Sequence, residues 1–445
     1  MLLKGNCLEL LAEMPDNSVD SIVTDPPYGL SFMGKSWDGP AGMLGQIATG
    51  DEKRGAYAYG GSHSRGYIDN DNLAFQAWTT EWAIQALRVL KPGGHLLAFG
   101  GSRTYHRLAS AVEDAGFEIR DQIMWLYGSG FPKSLDVSKA IDKAAGAERP
   151  DRIVETHGKS GSHENPTRHV TNAGTPSTHE AQQWQGWGTA LKPAHEPIVV
   201  ARKPLIGTVA ANVLTYGTGA LNIDGSRVGT GTGETKTVQY PNIRGNNYNN
   251  AEGTVEYIVT DQGRWPANVI HDGSEEVLEG FPITGSARPA RTGRAGGSNS
   301  ERSLGMTADH IGTWPADTGG SAARFFYCAK ASKSERNAGL EGLPEKPGGS
   351  NAKGYTQDVA NGLDRNRPVA NFHPTVKPIA LMRYLVKLVT PPNGTVLDPF
   401  LGSGTTAVAA ILEGFNWMGC EMTEDYWPII EARVAWAEAQ PKTLL

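Results

Sequence analysis

Cysteine is scarce in this sequence, whose 445 residues include only Cys7, Cys328 and Cys420. These three lie far apart and form no C-x-x-C pair, so neither a disulfide framework nor a cysteine-based metal site is indicated. No apolar run approaches the roughly 20 residues that are needed to cross a bilayer. The first residues include acidic side chains where a signal peptide stays apolar, so we expect a cytoplasmic protein.

An excess of positive charge is also lacking, since the formal net charge is −6. Taken alone, this argues against a nucleic-acid partner. The acidic excess lies at the two ends of the chain, however, because residues 131–372 contain 26 basic and 25 acidic side chains. Within that segment, Arg288, Arg291 and Arg294 lie in a Gly/Ser-rich stretch. Such a stretch suits contact with phosphates, and it suits a solvated loop equally well.

A short apolar run followed by Asp25-Pro26-Pro27-Tyr28 is the most informative feature near the start of the chain. Residues 19–24 read V-D-S-I-V-T, which is typical of a buried strand. The prolines end this strand and hold Asp25 extended at its carboxyl end, where open α/β sheets bind ligands. A carboxylate, free carbonyls and an aromatic ring suit the exocyclic amino group of a planar base. A simple proline turn is the alternative for these four residues alone.

A glycine loop much later in the chain follows another predicted strand. The run T-V-L-D-P-F-L-G-S-G-T-T reads as a strand, a loop and the start of a helix. Gly402 and Gly404 let the backbone approach a ligand closely, while Thr405 and Thr406 can cap the helix. The next predicted strand ends at Glu421, where an acidic residue typically holds a ribose diol. A lone G-x-G usually marks a tight turn, but together with Glu421 it favours an adenosine-containing cofactor.

These two motifs resemble those of the amino-methyltransferases of DNA, which use S-adenosylmethionine. The run from Asp25 to Tyr28 is similar to their catalytic motif, and the run from Asp398 to Gly404 is similar to their cofactor loop. With the catalytic motif first, the order is similar to the beta arrangement of that family. Enzymes that methylate glutamine side chains, and the gamma arrangement of the DNA enzymes, place the cofactor loop first.

Two further segments extend the resemblance. The run H-P-T-V-K-P at residues 373–378 is similar to the segment beside the methionine end of the cofactor. The run H-E-P-I-V-V-A-R-K at residues 195–203 is similar to the strand that follows the catalytic half. Together the matches cover roughly residues 1–130, 190–203 and 373–445. The middle of the chain matches no family motif that carries chemistry.

The resemblance assigns expected roles to the matching residues. The catalytic motif is Asp25, Pro26, Pro27 and Tyr28. The expected contacts to S-adenosylmethionine are Asn6, Cys7, His373, Thr375, Lys377, Asp398, Pro399, Phe400, Gly402, Ser403, Gly404, Thr405, Thr406 and Glu421. For DNA binding we expect Arg288, Arg291 and Arg294. We expect no metal, because His157, His163 and His169 lie in a polar loop without the spacing of zinc ligands.

Strands and helices alternate along the two ends of the chain. The predicted strands are 2–6, 19–24, 95–99, 118–126, 196–201, 395–397 and 416–421, and the predicted helices are 8–14, 75–90, 103–115, 379–389, 407–413 and 424–439. This alternation predicts an α/β fold with a mainly parallel sheet covered by helices on both faces. The N-terminal strand would lie beside strand 416–421, which makes the fold a circularly permuted Rossmann-like methyltransferase sheet.

The predicted organisation has four segments. These are a catalytic half (1–130), a variable insertion with a returning core strand (131–203), a loop-rich target-recognition region (204–372) and a cofactor-binding half (373–445). Within them we predict a mobile loop at residues 34–70 and short strands or turns at residues 204–214, 264–270 and 323–330.

The reaction that the resemblance implies is methylation of an exocyclic amine on a base rotated out of duplex DNA. Tyr28 would stack on that base, while Asp25 and the Pro26 carbonyl would accept hydrogen bonds from its amino group. In this family Asp is usual at the first motif position for adenine N6, and Ser is more usual for cytosine N4. We therefore expect adenine, with cytosine N4 as the alternative. Cytosine C5 is excluded, since no cysteine lies in a Pro-Cys loop.

A non-catalytic DNA-binding relative is an alternative of a different class. The intact Asp25, Tyr28 and glycine loop argue against it. Double-stranded DNA is the expected partner, and self-association into a homodimer is left open. The recognition sequence cannot be read from the chain, because base readout depends on side-chain geometry in the variable middle.

Overall fold

The computed structural model describes residues 1–29, 71–130, 134–149, 152–156, 167–171, 174–229, 235–241, 254–260, 263–284, 291–294, 311–314, 320–329, 333–344, 346–347 and 368–440. In chain order the strands are β1 (Leu2–Lys4), β2 (Val19–Thr24), β3 (Leu90–Phe99), β4 (Glu118–Leu126), β5 (Arg152–Thr156), β6 (Thr167–Thr171), β7 (His195–Arg202), β8 (Thr235–Pro241), β9 (Thr254–Thr260), β10 (Val269–His271), β11 (Ile283–Thr284), β12 (Arg291–Arg294), β13 (Ile311–Trp314), β14 (Gly320–Ser321), β15 (Tyr327–Cys328), β16 (Lys346–Pro347), β17 (Pro368–Val369), β18 (Thr395–Asp398) and β19 (Asn416–Glu421).

The helices, again in chain order, are α1 (Cys7–Glu13), α2 (Asp71–Val89), α3 (Tyr105–Asp114), α4 (Val137–Ala144), α5 (His179–Gln183), α6 (Val209–Tyr216), α7 (Glu275–Glu279), α8 (Lys333–Arg336), α9 (Ile379–Val389), α10 (Thr405–Leu412) and α11 (Trp427–Glu438). Short 3₁₀ turns span Asp224–Ser226, Ala322–Phe325 and Glu424–Tyr426. None of the helices in the described ranges is long and apolar enough to cross a membrane.

A nine-stranded sheet organises the fold, with the strand order β1-β19-β18-β2-β3-β7-β4-β10-β15. Strand β7 runs antiparallel to both of its neighbours, and the other neighbouring pairs are parallel. The predicted α/β class with a mainly parallel sheet is therefore confirmed. Strand β1 pairs with β19, so the N-terminal strand does complete the half of the sheet that carries the glycine loop.

Helices cover both faces of this sheet. Because side chains alternate along a strand, Ile22 and Leu96 face one cluster of buried apolar residues, and Val23 and Leu97 face another. The first cluster includes residues of α1, α2 and α3, and the second includes residues of α9 and α10. All six residues of β2 are buried, as expected for a central parallel strand that is covered on both sides. The strand that leads to Asp25 is thereby fixed rigidly.

The chain divides into two compact units. The first comprises Met1–Gly128, His195–Lys346 and Val369–Leu445, and it contains the nine-stranded sheet. The second comprises Ser129–Ala194 and Pro347–Pro368 and includes α4, α5 and the antiparallel pair β5 and β6. The division into four functional segments stays a prediction.

One predicted element is wrong. Residues 204–214 do not form strands or turns throughout, because helix α6 begins at Val209. The Thr208 hydroxyl accepts a hydrogen bond of 3.2 Å from the Ala211 amide, and Gly217 ends the helix with a φ of +76°. Threonine before a helix and glycine after it are ordinary capping signals, so the sequence contained the evidence for this helix.

Several predictions concern residues that lie outside the described ranges. These are the loop at 34–70, two of the three loop histidines (His157 and His163) and Arg288. The third histidine, His169, lies in β6, while Arg291 and Arg294 are the two ends of β12, which pairs with β13.

Candidate active site and cofactor loop

Four neighbouring parallel strands bring the predicted motifs to one edge of the sheet. The strands β1, β19, β18 and β2 are adjacent in that order, so their carboxyl ends lie side by side. Asn6 follows β1, Glu421 ends β19, Asp398 ends β18 and Asp25 follows β2. Residues that are far apart in the sequence therefore share the edge where open α/β sheets bind ligands.

The two main motifs are joined by a direct hydrogen bond. The Thr24 hydroxyl donates to Asp398 Oδ1 at 2.6 Å, and the Thr406 hydroxyl donates to Asp398 Oδ2 at 2.5 Å. The Phe400 amide also donates to Oδ1, at 3.0 Å. Burial raises the pKa of Asp398 to about 6 despite these three donors. Asp398 thus holds the glycine loop against the strand that precedes Asp25.

The two threonines after the loop do not cap helix α10, which corrects the prediction. The N-cap is Gly404, and it makes no side-chain hydrogen bond to the helix. The Thr406 hydroxyl is directed to Asp398, and the Thr405 hydroxyl accepts a hydrogen bond of 3.0 Å from Arg433. Both hydroxyls bind neighbours that the sequence does not place beside them.

Gly402 and Glu421 form the part of the loop that suits a ribose. Gly402 has a φ of +56°, and its amide donates to Glu421 Oε2 at 2.8 Å. The other carboxylate oxygen of Glu421 accepts from the Thr423 amide at 2.7 Å. Burial raises the pKa of Glu421. The Thr423 side chain also hydrogen-bonds this carboxylate, so three donors leave one of its four lone pairs for a ribose hydroxyl.

His373 packs directly against the glycine loop. A Cβ atom added at Gly402 would lie 2.9 Å from His373 Nε2, and the imidazole also meets the ring of Tyr426 edge-on, with centroids 4.6 Å apart. Its Nδ1 accepts a hydrogen bond of 3.3 Å from the Thr375 amide. Burial, with nearby positive charges, lowers the pKa of His373 to about 3. A neutral imidazole therefore lines this side of the loop.

The remaining predicted cofactor residues lie in or near the same edge. The Asn6 side chain caps α1 by accepting from the Leu8 amide at 3.0 Å, and Cys7 is buried in the first turn of that helix. The ring of Phe400 contacts those of Trp78 and Trp82, so it anchors the loop in the apolar core.

Lys377, whose contact with the cofactor stays a prediction, lies against the catalytic motif. Its Nζ is 3.0 Å from Asp25 Oδ2, 2.8 Å from Glu196 Oε2 and 3.1 Å from the Tyr28 hydroxyl oxygen. The Tyr28 hydroxyl is itself 2.9 Å from Asp25 Oδ1 and 3.0 Å from Glu196 Oε2. We call these four residues the carboxylate cluster. The sequence pointed to a strand at Glu196 but gave no sign that its side chain reaches Asp25.

The charges in the carboxylate cluster are strongly coupled. Burial raises the pKa of Asp25, Lys377 opposes this change and the charge of Glu196 adds to it. Burial alone would lower the pKa of Lys377, but the two carboxylates raise it above its usual value. Burial and the same carboxylates raise the pKa of Tyr28 well above its usual value. At neutral pH the lysine is therefore an ammonium, and the tyrosine is a neutral phenol.

Arg433 is a further residue that the sequence analysis missed. It is fully buried in α11, and its Nη1 donates to the Ser403 carbonyl at 2.7 Å and to the hydroxyls of Ser403 and Thr405 at 3.0 Å. The signal was present, because Arg433 lies three residues after Ile430 on the apolar side of the helix. An arginine on a buried helix face needs polar partners inside the protein, and here they belong to the glycine loop.

A comparison with protein families identifies the family of a chain that has this site. A family profile described as DNA methylase, for N6 and N4 enzymes, matches residues 19–432. The match extends from the strand before Asp25 to the helix that carries Arg433. The chain belongs to the DNA methylase family.

Two curated relatives of this DNA methylase are type II methyltransferases. M.HindIII of Haemophilus influenzae is 26% identical over 222 residues, which are 48% of this chain and 61% of that protein. M.ScaI of Streptomyces caespitosus is 40% identical over 82 residues, which are 18% of this chain and 27% of that protein. The aligned part of the DNA methylase thus spans less than two thirds of the length of either relative.

The chain was also compared with solved structures. PvuII DNA methyltransferase, described as cytosine-N4-specific, aligns over 100% of this chain and 87% of its own, with 13% identity and a TM-score of 0.40.

Proposed function

We propose that this DNA methylase transfers a methyl group from S-adenosylmethionine to N6 of an adenine that is rotated out of double-stranded DNA. The observation that carries the proposal is the hydrogen bond between Thr24 and Asp398. It holds the carboxylate of Asp25 next to the glycine loop, so that an amine acceptor and a cofactor cradle share one edge of the sheet. Membership of the DNA methylase family supports this assignment.

The residues of the glycine loop fit an adenosine-containing sulfonium. Glu421 retains a lone pair for a ribose hydroxyl, and the φ values of Gly402 and Gly404, +56° and +80°, favour glycine, which has no side chain to enter the loop. The neutral His373 brings no positive charge against a cationic sulfur. Bound here, S-adenosylmethionine supplies an electrophilic methyl group on a positively charged sulfur.

Asp25 is the residue that acts on the base. The lone pair of an exocyclic amine is delocalised into the ring and is a poor nucleophile. By accepting a hydrogen bond from the amine, Asp25 localises this lone pair, and its negative charge stabilises the positive charge that develops on nitrogen. Tyr28 provides an aromatic surface for the base, and stacking on it returns roughly 1–3 kcal/mol of the cost of extrusion.

Adenine is proposed because Asp25 occupies the first position of the motif, where the resembling cytosine-N4 enzymes more usually have serine. The two substrates share an amine beside a ring nitrogen, so the same cluster could act on either. The region 204–372, which contains Arg288, Arg291 and Arg294, is proposed to select the DNA sequence, because the catalytic and cofactor motifs lie outside it.

Nucleoside mass spectrometry tests the function. DNA from cells that express the wild-type chain is compared with DNA from cells that express Asp25→Ala, with S-adenosylmethionine binding of both proteins as the measure of folding. We expect N6-methyladenine in the wild-type sample and none in the variant sample, at similar cofactor affinity. N4-methylcytosine without N6-methyladenine would show that the substrate is cytosine and not adenine. The absence of both modified bases from the DNA of cells with the wild-type chain would overturn the proposal.

A further inference from the structure

Glu196 shares both polar partners of Asp25. The Lys377 ammonium and the Tyr28 hydroxyl each lie within 3.0 Å of an oxygen of either carboxylate. The side chains of Asp25 and Glu196 are 18% and 20% exposed, and that of Lys377 is 9% exposed. Two carboxylates that can be reached from outside thus compete for one ammonium and one phenolic hydrogen.

This competition determines the charge that a substrate amine meets. A carboxylate paired with an ammonium forms a neutral pair, which stabilises a developing positive charge poorly. Two carboxylates share the single ammonium of Lys377, so only one of them can form a neutral pair with it. Lys377 lies closer to Glu196, at 2.8 Å, than to Asp25, at 3.0 Å. When Lys377 pairs with Glu196, Asp25 is the carboxylate that is left to accept from the substrate amine.

We infer that Glu196 is a positioning residue of the methylation reaction, which retains Lys377 while Asp25 binds the substrate amine. The inference rests on the proposed function. Without Glu196, the lysine and the phenol have Asp25 as their remaining acceptor in the cluster. Asp25 would then be neutralised by its own neighbour at the moment when its charge is needed.

Other titratable groups near the cluster leave this count of charges unchanged at neutral pH. Tyr127 is influenced by Glu196 and Lys377, and burial raises its pKa to about 12, so it stays neutral. The positive charge of Lys377 acts on His373, whose pKa is lowered to about 3, so its imidazole is neutral. The charge of Asp25 also acts on Asp398. The Asp398 carboxylate accepts from three donors outside the carboxylate cluster, so it does not compete for Lys377 or for the Tyr28 hydroxyl.

The first test compares Glu196→Gln with Glu196→Asp. Glutamine keeps the size and an acceptor oxygen but removes the charge, whereas aspartate keeps the charge on a shorter side chain. We expect kcat to fall about 10²-fold in E196Q with an unchanged KM for S-adenosylmethionine, and E196D to retain more activity than E196Q. Equal activity of E196Q and E196D would overturn the inference, because packing alone favours glutamine.

The second test adds Lys377→Met to Glu196→Gln and measures all four combinations at pH 8. The inference predicts that the E196Q/K377M protein is at least several-fold faster than E196Q, because removal of the ammonium returns the negative charge to Asp25. If Glu196 only supports the local structure, losing a second cluster member makes the protein slower still. A double variant that is no faster than E196Q would overturn the inference. If the wild-type enzyme produces no methylated DNA, the proposed function itself is refuted, and not only the role of Glu196.

Discussion

The hydroxyl of Thr24 donates a hydrogen bond of 2.6 Å to Asp398 across 374 residues of sequence. Each residue is the last of its strand, and the two strands are neighbours in the sheet. Because both strand ends are buried, the distance between Asp25 and the glycine loop is set by rigid elements. The catalytic motif and the glycine loop are far apart in the sequence, and this hydrogen bond brings them together at one edge of the sheet.

Asp398 makes the stability of the protein depend on pH. Its pKa is raised from 3.8 to about 6 in the folded chain, so ionisation costs more free energy there than in the unfolded chain. Its stabilising contribution is complete below about pH 3.8 and is lost as the pH rises through about 6. Asp398→Asn cannot ionise. We expect the unfolding free energy of D398N to gain about 2 kcal/mol relative to wild type between pH 4 and pH 7.

Denaturant unfolding at several pH values measures this difference. The comparison uses the change with pH, so a constant loss of stability from the altered hydrogen bonds cancels. Parallel curves for the two proteins would show that Asp398 ionises with equal ease in both states.

Replacement of Gly402 by alanine should weaken cofactor binding by about tenfold or more, a change of at least 1.4 kcal/mol. The new methyl group would lie 2.9 Å from His373 Nε2, and that ring is held by Tyr426. Gly414→Ala is the matched control, since Gly414 also has a positive φ, +79°, but has no atom within 4 Å of the added Cβ. Both variants should lose about 1–2 kcal/mol of stability through backbone strain. Calorimetric titration with S-adenosylmethionine should separate them, and equal affinities would refute the prediction.

Arg433→Met should destabilise the glycine loop, because Arg433 donates hydrogen bonds to Ser403 and Thr405. It leaves the Ser403 carbonyl and two hydroxyls without the Nη1 donor, at a cost of about 1–3 kcal/mol of unfolding free energy. Cofactor affinity should fall as well. Glu431→Gln is the control on the same helix, because Glu431 is 57% exposed and pairs with Lys4 at the surface. We expect its stability to change by less than about 0.5 kcal/mol, and a similar small change in R433M would contradict the prediction.

Substitution of Arg288, Arg291 and Arg294 by alanine should weaken DNA binding and its dependence on salt. Each lost phosphate contact lowers the slope of log K against log salt by about 0.9. Fluorescence anisotropy with duplex DNA at several salt concentrations measures the slope for the triple variant and for each single variant. An unchanged slope in the triple variant would assign this stretch to the solvated surface.

Local patterns predicted the main elements of the fold well. Strand β2 has the predicted bounds, because β-branched residues followed by two prolines leave little other choice. The pairing of β1 with β19 was also predicted, since the glycine loop lies late in the chain and the sheet needs a further strand beside it.

Contacts between distant side chains were not predictable in the same way. No local pattern shows that Lys377 reaches Asp25 and Glu196, because this depends on how β2, β7 and the segment before α9 meet. The hydroxyls of Thr405 and Thr406 likewise appear free in the sequence. They are engaged by Arg433 and Asp398, which tertiary packing brings to the loop.

The position of β2 between β3 and β18 has a consequence for synthesis on the ribosome. Strand β3 ends at residue 99, whereas β18 begins at residue 395. At 5–20 residues per second, one edge of β2 in the nascent chain stays unpaired for roughly 15–60 s. An open apolar edge is a template for aggregation during that time. The order of the strands along the chain thus leaves the amino-terminal half exposed to aggregation until β18 has been translated.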